Sequence, residues 1–208
     1  MPTTDRAALE SALTDYYDRE AGHRHDSRLP ADREEVRAEF VELLTSEGRT
    51  SVLEVGCGPG RDGVALSAAG LAYAGVDLAP ESVRRCVQHG LDARVASVHA
   101  LPYDDDAFDA GWTMSTLLHV PAVDLTAALT EITRVLRPGA PLAIGVWGAP
   151  VSREEHWEED ARFGSRFFSL RSDGDLRAAV DAFGVVERWR TWPGSADLHY
   201  QWLVLRCR

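Results

Sequence analysis

The chain has 208 residues and a formal net charge of −11, with 33 acidic against 22 basic side chains. That length suits one hydrophobic core, and no linker rich in Pro, Gly or Ser divides it, so a single domain is expected. The acidic balance argues against a partner held through a phosphate backbone, which needs clustered cations. No run approaches the roughly 18 apolar residues of a membrane span, and the first residues lack a signal peptide's cationic start and apolar core. A cytoplasmic protein with neither nucleic-acid nor membrane partner is therefore expected. Cys57, Cys86 and Cys207 are odd in number and lack metal-ligand spacing, which suits reduced thiols and no disulfide.

In chain order, Leu9, Leu13 and Tyr17 recur every four residues and predict a helix, as do Val36, Phe40 and Leu44. Gly22-His-Arg-His-Asp-Ser-Arg-Leu-Pro30 between them reads as a loop. Its His23, His25 and Asp26 suit solvated polar residues better than a metal site, since no third convincing ligand lies nearby. From residue 51, short apolar runs alternate with helical patterns. Val52 to Val55, Ala72 to Asp77 and Ala93 to Ala96 are expected strands, with helices from Gly63 to Ala69 and Pro80 to His89. Asp109 to Ser115 and Leu142 to Trp147 are further strands around a helix from Val123 to Leu136, stopped by Pro138 and Gly139. The Glu154 to Asp160 run reads as the solvated face of a helix. A helix from about Asp173 to Phe183 and two closing strands, Val185 to Trp192 and His199 to Arg206, complete the chain.

The chemistry gathers at Ser51-Val-Leu-Glu-Val-Gly-Cys-Gly-Pro-Gly-Arg-Asp-Gly63. Glycines admit positive φ and close approach of a ligand, and the following helix starts with unpaired N–H groups. Gly58, Gly60 and Gly63 also satisfy the dinucleotide-binding spacing, and Asp77 supplies the acid expected about 20 residues on for either ligand. The pattern alone leaves both cofactors open. Glu54 lies two residues before the first glycine, Leu101-Pro-Tyr-Asp-Asp-Asp-Ala-Phe-Asp109 follows, and Leu136-Arg-Pro-Gly139 precedes Pro141-Leu-Ala-Ile-Gly-Val-Trp147. This ordered set resembles the class I S-adenosylmethionine-dependent methyltransferases, in particular their small-molecule (type 11/25-like) branch, over about residues 50 to 150.

The resemblance implies an α/β, Rossmann-like fold with a mostly parallel seven-stranded sheet, helices on both faces and a C-terminal antiparallel hairpin. It divides the single domain into a helical lid (1–48), a cofactor-binding core (49–148) and an acceptor-side insertion with closing hairpin (149–208). With S-adenosylmethionine as cofactor, Gly56, Gly58 and Gly60 would border the methionine and ribose parts. Asp77 would accept from the ribose hydroxyls, and Leu78 would pack on adenine. Glu54 would orient the turn or reach the amino group, unless it only bonds neighbouring backbone. Met114 falls at the carboxyl edge of the fourth strand. Where the family commonly has Gly-Asp-Ala, with the aspartate on adenine N6, this chain has Ala96-Ser97-Val98. Ser97 could bond N6 and the Val98 N–H could meet N1, without charge assistance.

The acceptor would be a small molecule. His119, whose ordinary pKa near 6.5 suits proton removal at neutral pH, is the candidate general base, against a bland role in capping or backbone bonding. Tyr16, Tyr17, His23, Trp147 and Phe167 are, with His119, the candidate acceptor contacts. Both tyrosines could equally pack the core, and aromatics such as Phe167 could simply fix the insertion to the sheet. No metal is expected. Two alternatives remain: an NAD(P)-binding oxidoreductase, weakened by the absence of lysine and by the Leu136-Arg-Pro-Gly139 segment, and a non-catalytic S-adenosylmethionine-binding partner subunit. The residues do not choose between monomer and homodimer.

Overall fold

The computed structural model describes residues 5–24, 29–158 and 163–208, with the side chains of 22–24 outside the description. Helices α1 (Arg6–Arg24) and α2 (Ala31–Ser46) precede β1 (Ser51–Val55), α3 (Arg61–Ala68), β2 (Ala72–Asp77), α4 (Pro80–Gln88) and β3 (Ala93–Val95). Then come β4 (Gly111–Met114), α5 (Leu125–Arg134), β5 (Pro141–Gly148), β6 (Arg153–Trp157), β7 (Arg166–Leu170), α6 (Asp173–Asp181), β8 (Gly184–Pro193) and β9 (His199–Cys207). Seven strands form one sheet in the order β3-β2-β1-β4-β5-β9-β8. The first five pair in parallel, while β9 runs antiparallel to β5 and to β8, giving the expected closing hairpin.

Successive side chains on a strand face opposite ways, and each face meets its own layer. Leu53, Val55, Leu142, Ile144, Leu203 and Leu205 join one cluster with Ile132 of α5 and Val180 of α6. Their neighbours Val52, Trp112, Ala143, Trp202 and Val204 join the other, with Phe40 of α2 and Leu66 of α3. The four-residue period predicted for α2 is realised: Val36, Phe40 and Leu44 are buried, and Phe40 lies against Trp112 with ring centroids 5.3 Å apart. Burying each such side chain contributes about 1.5–3 kcal/mol.

Two expectations are corrected. The segment assigned to a loop begins with helix, since α1 continues through Arg24; His25 and Asp26 lie outside the described residues. The acidic run opens as a strand: β6 pairs with β7 in a separate two-stranded hairpin, Glu154 opposite Ser169 and His156 opposite Phe167. Its exposure alternates from residue to residue, a period of two that the density of acidic residues masks in the sequence.

Candidate active site

The strand order reverses between β1 and β4, so the chain leaves their carboxyl ends in opposite directions and opens a crevice there. The glycine turn after β1 fills one wall, and its three glycines have three separate reasons. Gly56, at φ 77°, makes room for Thr116: a Cβ would lie 1.9 Å from Thr116 Oγ1. Gly60, at φ 88°, lets the turn pack on α4, where a Cβ would meet Cys86 Sγ at 2.9 Å; it does not line the crevice, contrary to expectation. Only Gly58 has open space where its Cβ would be, and its N–H donates to Asp77 Oδ2 at 2.8 Å.

Asp77 ends β2, and its Oδ1 also accepts from the Ala79 N–H at 2.9 Å. The carboxylate is thereby held at the cavity wall beside Gly58, with Leu78, Val98 and Met114 lining the same space. Two other residues proposed to touch the cofactor do not line it. Glu54 is 1% exposed and its Oε2 accepts from the Tyr73 hydroxyl at 2.7 Å. Burial, then the nearby Asp62 charge, push its pKa well above the usual carboxylate range. Ser97 Oγ turns to the N-terminal helix instead and donates to Glu10 Oε1 at 2.6 Å.

A second cavity, of about 660 Å³, adjoins the first, and Tyr17, Arg33, Arg61, Ser115 and His119 line both. Its far wall is aromatic: Trp147, Trp157, Phe168, Trp192 and Tyr200. His119 stands at the junction. Its Nδ1 lies 2.7 Å from the Phe167 carbonyl oxygen and its Nε2 2.5 Å from the Tyr17 hydroxyl. A carbonyl only accepts, so Nδ1 carries the proton, and in the neutral ring Nε2 accepts from the tyrosine. The loop bearing His119 is pinned from beneath by Arg171, 4% exposed, which donates to the Leu117 carbonyl at 3.1 Å and the Val120 carbonyl at 2.7 Å.

Of the remaining candidates, Trp147 and Tyr17 reach the second cavity, while Phe167 and Tyr16 do not. Phe167 is buried against Leu9 and Leu13 of α1, and strand alternation sends its neighbour Phe168 into the cavity instead. Tyr16 is 3% exposed and packs edge-on to Phe163 and Tyr17, with the Arg166 guanidinium 4.7 Å from its ring centre. The side chain of His23 lies outside the described residues. No group of three or more metal-ligating side chains occurs among the described residues, and no helix there is long and apolar enough to cross a membrane.

Sequence reasoning missed a buried ion cluster in the floor. Asp62 of α3 accepts from Arg33 at 2.8 and 2.5 Å, from Arg37 at 2.7 Å and from the Trp112 indole at 3.1 Å. Burial alone would raise its pKa, but the Arg33 charge and these bonds more than offset that, and the net shift is downward. Both arginines come from α2, and no local motif marks a pair whose partner lies 25 to 29 residues away. Ser115, at the carboxyl edge of the sheet, lines both cavities. It has φ 58°, a left-handed conformation uncommon outside glycine, and its Oγ lies 3.0 Å from the Tyr200 hydroxyl.

A crevice at the reversal point of a parallel sheet, with a glycine turn and a strand-end carboxylate on its wall, marks an α/β protein of the Rossmann-like class, whose ligands bind at that point. Residues 53–144 match a methyltransferase-domain family. The chain is 33% identical over 123 residues to methyltransferase GfsG of Streptomyces halstedii, covering 53% of this chain and 42% of that protein. It is 37% identical over 114 residues to the ubiquinone biosynthesis O-methyltransferase of Xanthomonas oryzae pv. oryzae, covering 51% of this chain and 47% of that protein. The chain thus spans about half the length of the curated relatives it matches. Among solved structures, the 1,6-didemethyltoxoflavin-N1-methyltransferase of Burkholderia thailandensis superposes with a TM-score of 0.74 at 21% identity, covering 100% of this chain and 92% of that one. The [4+2]-cyclase SpnF superposes at 0.64 with 20% identity, over 81% of this chain and 80% of that one. Residues 53–144 are thus similar to a methyltransferase domain, and the fold is the Rossmann-like one of the solved neighbours.

Proposed function

We propose that the chain is an S-adenosylmethionine-dependent methyltransferase that methylates oxygen, nitrogen or carbon of a small molecule. It acts in the cytoplasm as one methyltransferase domain, with 1–48 covering the site, 49–148 holding the cofactor and 149–208 forming the acceptor side. A fold that also serves a [4+2]-cyclase does not by itself decide the reaction, so the reading rests on the site. The observation that carries it is the Asp77 carboxylate, fixed by the Gly58 and Ala79 N–H groups at a cavity wall that continues into an aromatic one.

The residues fit the cofactor chemically. A carboxylate suits a ribose diol, the open face of Gly58 admits close approach, and Leu78, Val98 and Met114 offer apolar surface. When bound, S-adenosylmethionine supplies a methyl group made electrophilic by its cationic sulfur. The protein's task is alignment, which can be worth up to about 7–11 kcal/mol. The aromatic walls from Trp147, Trp157, Phe168 and Trp192 hold a flat or apolar acceptor and exclude water. His119 removes the acceptor's proton at Nε2, its ring oriented by the Phe167 carbonyl on Nδ1. Tyr17 caps that nitrogen from the N-terminal helix and must yield it to an acceptor hydroxyl or amine.

Calorimetric titration with S-adenosylhomocysteine and, separately, NADH tests the cofactor assignment. Micromolar binding of the first and silence from the second are expected. Asp77→Ala should weaken S-adenosylhomocysteine by about 10- to 150-fold, the equivalent of about 1.5–3 kcal/mol for hydrogen bonds to a charged group. NADH binding instead, or unchanged affinity in the variant, refutes the assignment.

A further inference from the structure

The cavity that runs past Asp77 and Leu78 ends among Ala96, Val98, His99 and two residues of α1, Arg6 and Glu10. No acidic residue of β3 or the turn after it lines this end; the carboxylate there is that of Glu10. Its Oε1 is held by the Ser97 hydroxyl at 2.6 Å, and among the described residues Oε2 has no hydrogen-bond partner. Ser97 Oγ in turn accepts from the His99 N–H at 3.1 Å, so Glu10, Ser97 and the turn after β3 form one bonded unit. Between them, the Val98 N–H also has no hydrogen-bond partner among the described residues. An acceptor on Glu10 and a donor on Val98 therefore lie on the wall of one cavity, linked through Ser97.

Resting on the cofactor reading above, we infer that Glu10 of the N-terminal helix reads the exocyclic amine of adenine, with the Val98 N–H as its partner donor. Adenine presents a donor at N6 beside an acceptor at N1, the complement of this pair. Hypoxanthine presents the reverse, an acceptor at O6 beside a donor at N1. It would place its carbonyl against the Glu10 carboxylate and its N1–H against the Val98 N–H. Ser97 does not contact the base: it orients the glutamate that does. Because Glu10 is on α1, the base cannot be read until α1 is seated. The same helix carries Tyr17, so cofactor recognition and the cover over His119 are parts of one rigid element.

The test compares S-adenosylhomocysteine with S-inosylhomocysteine by calorimetry on the full chain. The wild-type protein should prefer the adenine compound by at least about tenfold, in line with one mispaired charged hydrogen bond. Glu10→Ala should narrow that preference to under about threefold, and Glu10→Gln, whose amide can donate to O6, should narrow it at least as far. A purely structural glutamate would alter both affinities together and leave their ratio untouched, and that result overturns the inference. If Glu10→Ala fails to fold, the isosteric Glu10→Gln decides alone. Wild-type protein silent toward S-adenosylhomocysteine would instead sink the cofactor reading, and the role of Glu10 with it.

Discussion

Replacing Arg171 by Met tests how the loop bearing His119 is held. The guanidinium is buried and donates to the carbonyls of Leu117, Val120 and Ser169. Burial lowers its pKa to about 10, so the charge is held there against a desolvation cost that a methionine would relieve. What the substitution loses is on the other side. Leu117 O still accepts from the Val120 N–H at 3.2 Å, whereas Val120 O and Ser169 O lose a charged donor. Each buried carbonyl left without a partner costs about 1–3 kcal/mol, and the methionine stem replaces most of the packing, so a net loss of about 2–4 kcal/mol is expected. Urea unfolding with linear extrapolation reads this directly. With the loop unpinned, His119 shifts, so turnover on any accepted substrate should drop more than tenfold while S-adenosylhomocysteine affinity stays within twofold. A loss under about 1 kcal/mol, or an affinity that falls in step with turnover, would refute the argument that Arg171 acts through the His119 loop.

Other outcomes follow from the geometry. His119→Gln should lower kcat by about 10² to 10⁴ and leave cofactor affinity unchanged if the ring is the base; equal kcat in steady-state assays would remove it from the chemistry. Phe168→Ala should raise the acceptor KM with modest effect on stability, whereas Phe167→Ala should destabilise the seating of α1 and leave acceptor discrimination alone; paired kinetics and thermal melts distinguish the two. Asp62→Ala, which leaves Arg33 and Arg37 without their buried partner, should cost about 3–5 kcal/mol by denaturant titration. Burial opposes ionisation of Asp109, but bonds from Thr50 and Ser51 and the pair with Arg137 more than offset it and hold its pKa at about 2 against an ordinary 3.8. A depressed folded value means the stabilisation is complete above pH 3.8 and is lost as pH falls through 2. Asp109→Asn should therefore be less stable than wild type by about 2 kcal/mol at pH 7, a gap that narrows toward pH 2 in pH-dependent unfolding.

The sheet could be read from the chain because its strands are apolar runs bounded by glycine or proline, and the helices α2 and α5 because their buried positions keep a period near 3.6. The glycine turn and Asp77 were legible for a local reason as well: backbone conformation and an acid at fixed spacing are properties of short segments. What stayed hidden depends on pairing across the fold. Ser97 was read as a base contact, but Glu10, 87 residues earlier, holds its hydroxyl. Glu54 was read toward the cofactor, but Tyr73 on the neighbouring strand takes its carboxylate. Phe167 and Phe168 were separated only by the pleat of β7, whose phase cannot be set until its partner β6 is known to be a strand. That partner was obscured because four glutamates within six residues, at positions 154, 155, 158 and 159, imitate a solvated helix face.

The β6–β7 hairpin stands outside the main sheet, and its second strand offers one side chain to each of two tasks. Positions 168 and 167 can therefore vary separately: changes at 168 reshape the second cavity, changes at 167 alter the packing on α1, and the backbone carbonyl at 167 meets His119 whatever side chain is there. Varying position 168 alone would reshape that cavity while Phe167 keeps its packing on α1, so the two can be changed one at a time.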